Sequence, residues 1–225
     1  MLIFSLESSG RAASAAINDG EKLISFAYLD RGLTHSETLM PLCDRVFAGA
    51  GLCPRDIDYF AATTGPGSFT GLRIGISIIK GMALAVDRPC VGVSVNTALA
   101  TAASGFSGRA ITVSDARAGR VFAASFLVDG DPVRLSDDDT LGVDQLERLM
   151  PEEKGRYIFI GDAAQSCYNV WAGKRPGAIF VNRLPTAEHT AAAARILIEK
   201  GETVPCELLN PVYLQPSQAE RNLKK

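Results

Sequence analysis

A glycine-rich turn is the strongest local candidate for binding chemistry in this sequence. It reads Gly65-Pro66-Gly67-Ser68, and it stands between a predicted strand and a helix that starts near Phe69. Such a turn can direct backbone N–H groups and a helix amino terminus at an anion, while Ser68 caps the helix. The pattern is neither a P-loop nor GxGxxG. A tight turn with a helix cap is therefore the stronger interpretation, and anion binding is the alternative.

A second polar cluster closes the first predicted strand. A carboxylate and two hydroxyls follow one another there, and such groups could contact a phosphate or its metal ion. An acidic residue at a strand end is more commonly a solvated turn residue, so this evidence is weak by itself. The possible anion or nucleotide contact comprises Glu7, Ser8, Ser9, Gly65, Gly67 and Ser68. No residue is predicted to be catalytic.

Metal and hydrolase chemistry find little support in the sequence. The two histidines, His35 and His189, belong to no HxxxH or HxxH pair, and the five cysteines form no CxxC pair. We therefore expect no metal and no cofactor. A serine hydrolase of the GxSxG type is excluded because that motif is absent. Both histidines stand at predicted helix starts, where a capping role is the plainer interpretation.

Composition indicates a folded protein of the cytoplasm. The chain has 225 residues, of which 47% are hydrophobic, and its cysteine number is odd, as expected for reduced thiols. The first residues lack the basic start of a secretory signal, and no apolar run approaches the ~20 residues of a membrane span. The net charge of −2 gives no electrostatic footprint for nucleic acid. We expect no membrane contact and only indirect contact with tRNA.

The predicted elements repeat one order twice, as three strands followed by alternating helices and strands. This repetition favours two α/β lobes with mixed sheets, joined by a Gly/Ser-rich linker at 102–109. The predicted lobes are 1–101 and 110–225. In the second lobe, residues 211–214 are expected to dock back and 218–225 to be mobile. The predicted helices are 35–48, 69–86, 143–150, 163–171 and 187–200, and the predicted strands are 2–6, 12–17, 22–29, 57–63, 90–93, 110–114, 120–128 and 157–160.

The first two helices carry more apolar residues than one sheet face requires. Their apolar positions recur at three- and four-residue steps, which predicts a helical contact with a partner chain, and packing within the chain is the alternative. Gly75 and Ala83 are small enough to let another helix approach closely. The predicted partner surface comprises His35, Leu39, Leu42, Cys43, Val46, Leu72, Gly75, Ile76, Ile79 and Ala83.

Several motifs together resemble the TsaB (YeaZ) family. The likeness covers most of residues 1–128, is most specific at GPGSFTGLR, and returns at Pro211-Val212-Tyr213-Leu214, which is similar to the family's usual ending. One departure is Glu7, where the family leads us to expect Asp. The motifs are Glu7-Ser8-Ser9, Thr34-His35-Ser36-Glu37 with Leu39 to Pro41, GPGSFTGLRIG with Lys80-Gly81-Met82-Ala83, and Ser114-Asp115-Ala116-Arg117-Ala118-Gly119.

The resemblance implies two actin-like lobes (the ASKHA, ribonuclease H-like fold) and a role beside TsaD. TsaD is a paralogue that transfers the threonylcarbamoyl group to adenosine 37 of tRNAs that read ANN codons, and it binds a metal through a histidine pair. Residues 93–100, which follow the fifth strand here, contain no histidine. The resemblance therefore implies a non-catalytic subunit that forms a heterodimer with TsaD, admits TsaE to the larger complex, and forms a homodimer when alone.

An enzyme remains the second hypothesis. It would be an ATP-dependent phosphotransferase of the same superfamily or a metal-dependent glycoprotease, following an older label for such sequences. The missing histidine pair separates this hypothesis from the partner-subunit hypothesis.

Overall fold

The computed structural model describes residues 1–151 and 155–215 and contains two mixed β-sheets with helices packed on them. The predicted mobile end at 218–225 lies outside the described residues. The first sheet has five strands in the order β3-β2-β1-β4-β5. These strands are β1 (Leu2–Glu7), β2 (Ala13–Asp19), β3 (Lys22–Leu29), β4 (Tyr59–Gly65) and β5 (Cys90–Ser94).

The first sheet carries helices on both faces. The long helices α1 (His35–Ala50) and α2 (Phe69–Val86) share one hydrophobic core cluster with β1, β2 and β4. On the other face, Ile3, Ala61 and Val91 contact α3 (Val95–Thr101) and α5 (Ala187–Glu199). Alternating residues of β1 therefore point to opposite faces, as the pleat of a strand requires. The predicted bounds of α2 are confirmed, whereas α3 was not predicted.

The second sheet repeats the strand pattern of the first. In the first sheet, β1 pairs antiparallel with β2 and parallel with β4; in the second, β6 pairs antiparallel with β7 and parallel with β10. The helix α4 (Ala164–Trp171) belongs to this half, and the helix predicted at 143–150 is a 3-10 helix, Val143–Leu149. The strands are β6 (Gly108–Asp115), β7 (Arg120–Val128), β8 (Val133–Arg134), β9 (Asp139–Gly142), β10 (Tyr157–Ile160) and β11 (Ile179–Val181).

This repetition gives the two-lobe α/β fold that the sequence predicted. The lobe boundary at 102–109 stays a proposal, supported by the end of α3 at Thr101 and the start of β6 at Gly108. The last helix, α5, follows the second sheet in sequence but packs its alanines against the first sheet. Sequence order and lobe membership therefore differ for α5.

A polar network joins α3 to the β8–β9 region of the second sheet. Asp138 accepts hydrogen bonds from Ser94 (2.6 Å), from the Asn96 amide group (3.0 Å) and from Arg134 (2.7 Å). The other terminal nitrogen of Arg134 donates to Ser94 (3.0 Å) and to Thr97 (2.7 Å). This network ties the end of β5 and the first turn of α3 to the β8–β9 region, so it connects the two sheets.

Candidate functional site

The ends of β1 and β4 bring together the two polar clusters that the sequence predicted. These strands are parallel neighbours, so their carboxyl ends meet at the same edge of the sheet. The amide of Ser68 donates to the carbonyl oxygen of Ser9 (2.7 Å), and a Cβ atom at Gly67 would lie 2.6 Å from that same oxygen. The glycine-rich turn therefore packs directly on the loop after β1.

Glu7 is buried inside this junction rather than solvated. Its carboxylate Oε1 accepts from the Ser9 amide (2.6 Å) and the Ser9 hydroxyl (2.5 Å), so Glu7 fixes the turn that follows β1. Its Oε2 has no hydrogen-bond partner among the described residues. Burial raises the pKa of Glu7, and the hydrogen bonds from Ser9 oppose that rise. The Thr63 hydroxyl is also close enough to Glu7 to lower its pKa, although the two groups do not have the geometry of a hydrogen bond.

The glycines of α2 serve close packing against the loop after β1. Ser8 donates its hydroxyl to the carbonyl of Gly71 (2.9 Å), and a Cβ atom at Gly71 would overlap the Ser8 carbonyl oxygen. Ser68 caps the helix by accepting from the Gly71 amide (3.2 Å). The amides of Ser68 and Gly71 are thus already bound to protein oxygens. This geometry favours the turn-and-cap interpretation over an anion site, because fewer helix amides face outward.

The two histidines have separate structural roles. His35 donates from Nε2 to the carbonyl of Gly10 (2.9 Å), and its ring lies against Gly71, where a Cβ atom would come within 2.7 Å of it. His189 lies in the first turn of α5, where its Nδ1 accepts from the amide of Thr186 (3.2 Å). Within residues 1–151 and 155–215, no three His, Cys, Asp or Glu side chains are placed to hold a metal ion.

Most of the predicted partner surface turns out to be the chain's own core. Nine of the ten residues are buried, and the exception is His35. They fill the space between α1, α2 and the sheet, and Gly75 lies against Ser8. Packing within the chain, the alternative interpretation, therefore accounts for these nine residues, because the more apolar stripe of each helix faces the sheet. The buried residues are Leu39, Leu42, Cys43, Val46, Leu72, Gly75, Ile76, Ile79 and Ala83.

The opposite faces of α1 and α2 form an open groove, which we call the helix-pair groove. It has a volume of about 510 Å³, and Met40 on its wall is 44% exposed. The small side chains Thr70 and Ser77 leave room along α2, while Ile74 and Ile78 give its floor an apolar character. The lining residues are Ser36, Met40, Phe69, Thr70, Arg73, Ile74, Ser77 and Ile78.

The apolarity of α2 reflects these two faces. Its 18 residues have a mean hydropathy of 1.5, which by length and composition is enough for a membrane span. A core helix of a soluble domain can have the same length and hydropathy, so these two properties do not by themselves indicate a membrane span. One third of α2 is buried in this chain, and a second apolar stripe along the helix, which includes Ile74 and Ile78, is only partly buried. The four-residue spacing of Ile74 and Ile78 in that stripe is the sequence signal for the helix-pair groove.

The chain aligns with known proteins along almost its whole length. It is 30% identical over 231 residues to the Escherichia coli tRNA threonylcarbamoyladenosine biosynthesis protein TsaB, covering 99% of this chain and 98% of that protein. The chain belongs to the TsaB family. Residues 32–202 also match the family TsaD, tRNA N6-adenosine threonylcarbamoyltransferase, so this TsaB-family chain is related to that transferase.

Solved structures agree with the TsaB assignment and with the fold class. A Pseudomonas aeruginosa protein described as similar to the peptidase YEAZ superposes with a TM-score of 0.84 at 26% identity, over 95% of this chain and 99% of that one. Component A of (R)-2-hydroxyglutaryl-CoA dehydratase from Acidaminococcus fermentans shares the fold, with a TM-score of 0.53 at 12% identity over 88% and 98%. The predicted two-lobe, actin-like fold is confirmed.

In this TsaB-family chain the predicted docking of residues 211–214 is confirmed. The Val212 amide donates to the carbonyl of Thr64 at the end of β4 (2.8 Å), and Tyr213 stacks on Phe69 at the start of α2. The family's usual ending therefore reaches the rim of the helix-pair groove. Sequence reasoning found the segment but not its contact with α2, which joins residues more than a hundred positions apart.

Proposed function

We propose that this chain is the non-catalytic subunit that pairs with TsaD and supports threonylcarbamoyl transfer to adenosine 37 of tRNAs that read ANN codons. The observation that carries the proposal is the alignment with Escherichia coli TsaB along 99% of this chain. The match of residues 32–202 to the TsaD family supports a partner of related fold. Two related subunits can pair through equivalent elements, as the two copies of a homodimer do.

The helix-pair groove is the surface we assign to this pairing. Its floor is apolar at Ile74 and Ile78, its wall carries the exposed Met40, and nothing within the described chain covers it. Two helices from each subunit could close into a four-helix bundle and bury this face. We commit to TsaD as the occupant because the chain matches its family, and pairing with a second copy would use the same face when TsaD is absent.

The remaining roles follow from this assignment. TsaE would join the assembled pair, and tRNA would be held mainly by the other subunits, in line with the net charge of −2 on this chain. The place of action would be the cytoplasm, where tRNA is modified. The absence of catalysis is part of the proposal and rests on the separate structural roles of His35 and His189.

Mixing the chain with its cognate TsaD and measuring the mass of the complex by light scattering tests the proposal directly. We expect a stable heterodimer, and we expect cells depleted of this chain to lose threonylcarbamoyladenosine from their tRNA. Retention of the modified nucleoside in depleted cells, with no complex in solution, would refute the proposed function.

The enzyme hypothesis makes a different prediction. A metal-dependent glycoprotease or a phosphotransferase would hold metal or turn over ATP as the isolated chain. Measurement of zinc content and of ATP hydrolysis on the purified protein separates the two hypotheses, and stoichiometric zinc or steady turnover would favour the enzyme.

A further inference from the structure

The rim of the helix-pair groove carries a three-residue stack formed by Phe69, Arg73 and Tyr213. The Phe69 and Tyr213 rings are stacked with centroids 4.5 Å apart and planes inclined by 22°. The guanidinium carbon of Arg73 lies 4.0 Å from the centre of the Phe69 ring. Arg73 also donates from Nε to the Tyr213 hydroxyl (2.9 Å). An exposed arginine is thus held on one side by an aromatic ring and at its Nε by a hydrogen bond.

Tyr213 is itself held in place by a series of contacts along the C-terminal segment. Val204 pairs with Cys90 of β5, and Lys80 of α2 donates to the carbonyls of Glu207 (3.0 Å) and Leu209 (3.2 Å). The Val212 amide then bonds to β4, one residue before Tyr213. The segment therefore runs along α2 and delivers the tyrosine to the start of that helix.

The fixed guanidinium of Arg73 has its two terminal nitrogens unused by the described residues. Its one hydrogen bond there uses Nε, and the side chain lines the groove beside Ile74. A guanidinium with both terminal nitrogens available can bind a carboxylate through two parallel hydrogen bonds. Because the ring stack has already restricted the arginine rotamers, less side-chain entropy is lost when a partner binds.

We propose that Arg73 is an anchor of the partner interface that binds an Asp or Glu carboxylate of TsaD, and that Tyr213 positions it. This inference rests on the proposed function and assigns one specific contact within it. The C-terminal segment then contributes to pairing through Tyr213, which holds the arginine in its binding rotamer. Arginine and tyrosine are enriched among the residues that dominate interface affinity.

Binding of four variants to TsaD, measured by calorimetry at 50 and 500 mM salt, tests the anchor. We expect Arg73→Gln to weaken binding about tenfold or more at low salt, and Tyr213→Phe, which removes only the hydroxyl, about threefold. Arg73→Lys keeps the charge but not the fork, so it should fall between wild type and Arg73→Gln. Arg88→Gln is the matched control, because Arg88 is exposed beyond the end of α2 and should bind as wild type.

Salt dependence distinguishes an ionic contact from a structural effect. Wild-type affinity should fall as salt rises, and Arg73→Gln should flatten that dependence, because the pair it removes is the one that salt screens. Thermal melts of each variant should stay close to wild type. If Tyr213→Phe lowered the melting temperature, Arg73→Lys and Arg73→Gln would still show whether Arg73 makes an ionic contact, since both variants keep the tyrosine.

The outcomes separate this inference from the proposed function. Met40→Glu places a charge in the groove and should abolish pairing if the groove is the interface. If Met40→Glu lost binding while the Arg73 and Tyr213 variants bound as wild type at both salts, the anchor assignment would be wrong and the interface would stand. If Arg73→Gln weakened only self-association, the carboxylate would belong to a second copy. If wild type did not bind TsaD, both proposals would fall.

Discussion

Gly75 lies directly against Ser8, so that a Cβ atom added at Gly75 would overlap the Ser8 hydroxyl oxygen. This contact seats α2 on the loop after β1, where Ser8 donates to Gly71. We expect Gly75→Ala to lower the free energy of unfolding by about 1–3 kcal/mol, because the alanine methyl group forces the serine to move. Urea denaturation followed by circular dichroism measures the change.

Gly81 provides the matched control in the same helix. A Cβ atom there would meet nothing within 4 Å. Gly81→Ala should therefore stabilise the protein by about 0.5–1 kcal/mol through helix propensity. Equal effects of the two substitutions would contradict a packing role for Gly75.

The inner and outer faces of the helix pair should respond differently to an introduced charge. Ile76 is 4% exposed in the core, so Ile76→Glu should unfold the chain or cost several kcal/mol. Met40 is 44% exposed, so Met40→Glu should leave the melting temperature nearly unchanged while it abolishes pairing with TsaD. Circular dichroism measures the folding of each variant, and co-purification from the same preparations measures its pairing with TsaD. Loss of pairing by a fully folded Ile76→Glu protein would show that this assignment of faces is inverted.

Stability should fall between about pH 6.5 and pH 4 because of His189. Burial lowers the pKa of His189 to about 4 from an ordinary value of 6.5. In that window the unfolded chain binds a proton that the folded chain does not, so the free energy of unfolding decreases as the pH falls. The loss is on the order of 3 kcal/mol and levels off below the folded-state pKa.

Urea unfolding of wild type and His189→Gln at pH 4, 5, 6 and 7 isolates this contribution. The variant should show a flatter dependence across the window. Glu7 acts in the opposite sense, since burial raises its pKa and its contribution to stability is lost as the pH rises through that value. Parallel pH profiles for the two proteins would rule out His189 as the source.

The network around Asp138 should carry part of the stability between the two lobes. Asp138→Ala removes the acceptor of three hydrogen bonds and leaves Arg134 without its carboxylate, at a cost of about 2–4 kcal/mol. The neighbouring Asp137 is exposed, and Asp137→Ala should change stability by less than about 0.5 kcal/mol. Thermal denaturation of both variants gives the comparison. A small and equal effect of the two substitutions would mean that the network is dispensable.

Local sequence signals predicted the elements and their repeated order well. The helix at Phe69–Val86 and the duplicated strand pattern emerged from periodicity and turn residues, because these signals act over a few positions. The short helix α3 was missed, since its seven residues give too little periodicity to distinguish it from an adjoining strand. The resemblance to the TsaB family rested on motifs of the same local kind, and the alignment along the whole chain confirmed it.

Local sequence patterns were enough to predict the fold class, the family and the unusual apolarity of α2. Three-dimensional packing selects which stripe of each helix faces the sheet. Ile74 and Ile76 are both apolar, so the sequence cannot show that Ile76 is the one buried against the sheet. The tertiary structure also decided that α5 returns to the first sheet and that Tyr213 meets Arg73 across 140 positions. Such contacts depend on chain topology, which brings distant residues together through the packing of whole elements rather than through any local pattern.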